Sequence, residues 1–149
     1  MLNRLRAVFA SLEAQECRYV VIGGIAAILH GAPRATFDLD ILIENSPENA
    51  RLLEALHDAG MGTAELVTPE ELLRHEITVF KDRVRVDVQT SRPGLAFPAA
   101  WARRVTMNHQ GQRFYVVSRE DLIASKRASG RAVDLEDARA LEGRRGGAQ

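Results

Sequence analysis

Cysteine is nearly absent. Cys17 stands alone, which excludes an intrachain disulfide and a cysteine-rich zinc site and suits a reducing cytoplasm. Net charge is also missing: 20 basic residues balance 20 acidic ones, so no global field draws the chain to nucleic acid or to a membrane, and a polyanion must be held by a local patch. No apolar run is long enough to cross a bilayer. The opening Leu2, Leu5, Phe9 and Leu12 recur at helical spacing with charges between them, which predicts a packed amphipathic helix rather than a leader or an anchor. Three chemistries lack their signatures. There is no GxxxxGK[ST] phosphate loop after Gly24, no HExxH among His30, His57, His75 and His109, and no GxSxG nucleophile elbow.

What is present centres on Tyr19 to Glu44. The run from Arg18 to Ile22 reads as a strand buried on both faces, Gly24 to Leu29 as a short helix closed by Gly31 and Pro33, and Phe37 to Ile43 as a second strand. Gly23 and Gly24 stand where strand passes to helix and backbone N–H groups are free to face an anion. Asp38 and Asp40, two residues apart, share one face of the second strand at ~7 Å spacing. Two carboxylates so placed repel unless a cation lies between them, and an anion cradle beside them suggests a metal-chelated phosphate. Arg34 and Thr36 lie on the loop just upstream.

Further along, Ser46-Pro47 starts a helix that ends at Gly60, and Thr68 to Glu71 forms a capping box for another helix reaching Arg74. Ile77 to Phe80 and Val84 to Val88 form a hairpin whose second arm turns Arg85, Asp87 and Gln89 to one face, so Asp87 is a third strand carboxylate. Arg92 to Asn108, rich in turn residues, reads as loop and irregular structure anchored by Trp101. Arg113 to Val117 is a strand, Ser118 caps a helix from Arg119 to Ala128, Ser129-Gly130 breaks it, and a last helix runs from Arg131 to Leu141. The expectation is one α/β (α+β) domain over residues 1–142, a mixed twisted sheet with helices mainly on one face, and a flexible tail over 143–149.

Gly23-Gly24, then Asp38-Leu39-Asp40, then the distant Asp87 resemble the nucleotidyltransferase superfamily with the DNA polymerase β type core. More narrowly they resemble small bacterial stand-alone members from abortive-infection and toxin–antitoxin systems. The family often has Gly-Ser where this chain has Gly-Gly. The resemblance implies a metal-dependent enzyme moving a nucleoside monophosphate from an NTP to an acceptor hydroxyl on RNA, protein or a small molecule. It further implies two Mg²⁺ ions, or Mn²⁺, held by Asp38, Asp40 and Asp87, with the phosphates on the backbone of Gly23 and Gly24. Arg34 and Thr36 beside them are candidate nucleotide contacts, or else a surface cation and a residue that shapes the loop. It implies that Lys126 serves the phosphates, and Asp134 after it is needed for activity. With one domain, the acceptor site is expected as a shallow surface beside the three aspartates, a homodimer groove, or a surface completed by a partner protein such as one from a toxin–antitoxin pair. The reading from a different class is a non-catalytic, nucleotide-binding or antitoxin-like module that has kept the fold. Taken singly, Asp87 is also an ordinary polar strand position, Lys126 an ordinary solvated lysine, and Asp134 a helix residue that could pair with Arg131.

Overall fold

The computed structural model describes residues 1–143, and the rest of the expected tail, 144–149, lies outside them. Six strands form one mixed sheet: β1 (Tyr19–Ile22), β2 (Leu39–Ile43), β3 (Ile77–Lys81), β4 (Arg85–Gln89), β5 (Val105–His109) and β6 (Gln112–Val116), in the order β3-β4-β2-β1-β6-β5. β1 runs antiparallel to β2 and parallel to β6, while β2 runs parallel to β4. The all-apolar β1 is fully buried beside β2 at the sheet centre, as its unalternating sequence predicts.

Register fixes the faces. Pairing of Tyr19 with Ile43, Val21 with Ile41, Ile41 with Val88 and Val21 with Val116 puts these side chains on one face. There α1 (Leu2–Ala14) buries Leu5, Val8, Phe9 and Leu12, and the Phe9 ring stacks on Phe114 with centroids 4.5 Å apart. α3 (Leu52–Asp58) packs beside α1 through Leu52, Leu53 and Leu56. It is preceded by a 3-10 segment, Pro47–Arg51, so the helix expected from Ser46-Pro47 begins as a tighter turn. Ser46 does not cap it, because its hydroxyl donates to Glu44 instead.

α4 (Pro69–Arg74) carries the expected capping box, with Thr68 and Glu71 bonded reciprocally. The stretch expected to be irregular is ordered: α5 (Phe97–Ala102) has Pro98 in its first turn, and β5 forms the sheet edge beside β6. Trp101 of α5 sets its ring edge-on to Tyr115, 5.2 Å between centroids. α6 (Arg119–Ser129) is capped by the Ser118 hydroxyl and closed by Gly130 at φ +71°, a left-handed turn that returns α7 (Ala132–Gly143) against it. Among the described residues no helix is long and apolar enough to cross a membrane.

Candidate active site

The sheet's other face carries the charge. Ile22 pairs with Asp40 and Asp40 with Asp87, so the two aspartates are direct cross-strand neighbours on β2 and β4. Burial and the Asp87 carboxylate, with a smaller contribution from Asp38, push the Asp40 carboxyl up to about 6 against the pull of Arg92. Asp38 differs from expectation: it lies one residue before β2, on the end of the loop, with its side chain about half exposed. Loop backbone rather than strand pleat therefore sets its direction.

Arg85 is the cation that sequence reading missed. Two residues before Asp87 on the same face of β4, it grips both oxygens of Asp87, Nε to Oδ1 at 2.9 Å and Nη2 to Oδ2 at 3.2 Å, and stands 4.0 Å from Asp38. Asp38 and Asp87 thus flank one guanidinium. Among the described residues, no three His, Cys, Asp or Glu side chains are grouped closely enough to hold one metal ion as they lie. The donors nonetheless suit a hard divalent cation. Asp40 and Asp87 press two carboxylates together at a partly buried position, and Mg²⁺ accepts one or two carboxylates while keeping its waters and phosphate oxygens.

Gly23 opens α2 (Gly23–Leu29) at φ +69°, and a Cβ there would sit 2.3 Å from Asp40 Oδ2. Only glycine leaves that carboxylate its place. A Cβ at Gly24 would meet the Thr36 methyl at 2.9 Å and the Arg34 guanidinium carbon at 3.4 Å. The loop through Arg34 and Thr36 thus covers α2's first residues, which accounts for Gly-Gly here: a serine at position 24 would collide with Thr36. No side chain caps the first turn of α2.

Opposite stands a cluster from α6 and α7. Lys126 is 1% exposed, not on a solvated face, and donates to Asp137 at 2.9 Å and Asp134 at 3.3 Å. The reversal at Gly130 brings both aspartates to it, although Asp137, the closer partner, was not anticipated. Arg34 bonds Asp137 at 2.6 Å; Arg131 and Ser129 bond Asp134; Arg92 lies 3.7 Å from Asp134 and donates to Ser125. Burial alone would raise Asp134, but the bonds from Ser129 and Arg131 and the Lys126 charge outweigh it and hold the carboxyl at about 2. Four cations surround two anions. A cleft of about 120 Å³ joins this cluster to Gly23, Gly24, Thr36, Asp38 and Asp40. Asp87, the cross-strand neighbour of Asp40, does not line it.

The mixed sheet thus sets strand carboxylates opposite a cationic helical wall, across the Gly-Gly turn. Residues 3–142 match the model of the family described as "Nucleotidyltransferase of unknown function (DUF6036)", and the chain belongs to that family. The fold is similar to the crystal structure of a Thermotoga maritima protein, TM1012, described provisionally as a nucleotidyltransferase. The TM-score is 0.61 and the identity 19%, over 97% of this chain and 93% of the other. At that identity the likeness concerns the fold alone. No curated protein matches the sequence.

Proposed function

We propose that the protein binds an NTP with Mg²⁺ in the cleft and transfers the nucleoside monophosphate to an acceptor hydroxyl, releasing pyrophosphate. The observation that carries this reading is the polarity of the cleft: aspartates crowded on one wall, a surplus of cations on the other, and two glycines between. Gly23 and Gly24 donate backbone N–H groups to the terminal phosphates. Arg34, Arg92 and Arg131 supply the positive wall for them, and the Thr36 hydroxyl lies at its edge. Buried Lys126 contributes its charge and, through Asp134 and Asp137, fixes the arginines around it.

Asp38, Asp40 and Asp87 would hold two Mg²⁺ ions, which supply neutralisation of the phosphates and of the attacking and leaving oxygens. Asp38 must then turn inward and Arg85 must release Asp87; both side chains are partly exposed and able to move. The acceptor oxygen bonds to the α-phosphorus, the bond to pyrophosphate breaks, and the Asp87 carboxylate, freed from Arg85, accepts the hydroxyl proton. Positioning and charge neutralisation do the catalysis, with no covalent intermediate on the protein.

Two observations favour a non-catalytic nucleotide-binding module instead: Arg85 occupies the Asp87 carboxylate, and among the described residues no three acidic groups converge as they lie. Incubation with each α-labelled NTP, Mg²⁺ and pooled RNA, protein or small-molecule acceptors separates the two. Label transfer by the wild type that vanishes in Asp40→Asn supports the enzyme; equal signal from both proteins leaves only binding. A small toxin encoded beside this chain would further place it in a toxin–antitoxin pair.

A further inference from the structure

A second recess, of about 210 Å³, adjoins the nucleotide cleft and shares Asp38 with it. Its walls carry the side chains of four cationic residues, Arg4, Lys81, Arg83 and Arg85, and one aromatic, Phe37, a residue 67% exposed. Arg85 belongs to the carboxylate site. The other three have no task in it. Among the described residues, Arg4, Lys81 and Arg83 form no ion pair with a carboxylate: the Arg4 guanidinium donates to the Arg83 carbonyl, and Asp82 beside them accepts from the backbone of Thr63 and Arg83. A chain with no net charge thus concentrates three uncommitted cations and an exposed ring on one rim of its acidic site.

We propose that this recess seats the 3′-terminal segment of a single-stranded polynucleotide, the acceptor of the reaction proposed above, on which this inference rests. Cations without a carboxylate partner suit phosphodiesters, and each phosphate neutralised makes binding fall with salt. An exposed ring is a stacking platform for a base of any identity. β4 leads from Arg85 on the recess wall to Asp87 two residues later, so a strand lying across Arg83 and Lys81 brings its end toward the proton acceptor. An acidic peptide would answer the cations but make no use of Phe37 as a base platform.

The test uses the full-length protein and a fluorescein-labelled, mixed-sequence 12-nucleotide RNA read by anisotropy at several salt concentrations. Affinity for a non-hydrolysable NTP with Mg²⁺ is measured in parallel. Lys81→Glu with Arg83→Glu is expected to weaken RNA binding tenfold or more and flatten its salt dependence. Phe37→Ala is expected to weaken it about fivefold or more at every salt concentration. NTP affinity is expected to stay within twofold of wild type in both, which also reports that the variants fold. RNA affinity equal in wild type and variants, or no RNA binding by a wild type that binds NTP, overturns the recess as an acceptor site. Failure of the wild type to bind NTP while RNA binding follows the recess would count against the nucleotide reading instead.

Discussion

Replacing Asp40 by Asn should make this protein more stable at neutral pH, and the size of the gain follows from the site. Asp40 is pressed against Asp87 in register and partly buried, which raises its carboxyl from an ordinary value near 4 to about 6. A rise of about two units corresponds to roughly 3 kcal/mol against the charged form in the folded state. The sign follows from proton binding. Between about pH 4 and pH 6 the folded state holds a proton that the unfolded state has released, so wild-type stability falls as pH rises through that window and the full cost is present above it. Asn, neutral and nearly isosteric, escapes this. Urea unfolding of both proteins in a chelator-containing buffer should show no difference from this group below about pH 4. A gap opening through pH 6 should reach about 1–3 kcal/mol in favour of Asp40→Asn by pH 7.5. A variant less stable than wild type at pH 7.5, or a gap independent of pH, would refute the claim that Asp40 is held in an electrostatically unfavourable place.

Other perturbations probe the same frame. Lys126→Met leaves Asp134 and Asp137 buried without their shared cation and should cost about 3–5 kcal/mol, read by thermal or urea unfolding; a melting point within a degree of wild type would show the cluster to be dispensable. Gly23→Ala forces a side chain into a left-handed backbone 2.3 Å from Asp40 Oδ2 and should destabilise by about 2 kcal/mol or more, while Gly130→Ala, with open space around it, should cost only about 1 kcal/mol. Equal losses at the two positions would mean that contact with Asp40 adds nothing. Cys17, buried with its thiol pushed up to about 11 chiefly by burial, should react with a thiol reagent only as fast as the native state opens; rapid stoichiometric labelling at pH 8 would contradict its placement.

The architecture was legible where apolar pattern and termination signals agree. Val20-Val21-Ile22, the alternation through Leu39, Ile41 and Ile43, the capping box at Thr68 and the break at Gly130 each specify an element with a physical mechanism behind it. Arg92 to Asn108 was misread because β5 is an edge strand with Val105, Thr106 and Asn108 exposed, so it lacks the alternation that a buried face imposes. Asp38 was assigned to β2 on period alone, but pairing with β4 begins at Leu39 and pairing with β1 at Asp40, and the carboxylate before them follows the loop. Lys126 looked solvated because its burial comes from α7, which folds back after a reversal that sequence signals only as a break. The partnership with Asp137, eleven residues on, is a tertiary fact. Arg85 was placed on the Asp87 face by alternation, yet nothing in a linear pattern distinguishes an outward arginine from one that clamps its neighbour.

The central claim is that acidic and cationic walls around Gly23-Gly24 together hold a metal-chelated triphosphate, and calorimetric titration with each NTP in Mg²⁺ and again in chelator tests it most directly. The account predicts binding of at least one NTP in Mg²⁺, a loss of tenfold or more in chelator, and a comparable loss in Asp40→Asn despite its greater stability. Binding that is indifferent to both Mg²⁺ and Asp40, or no heat with any of the four nucleotides, would contradict it.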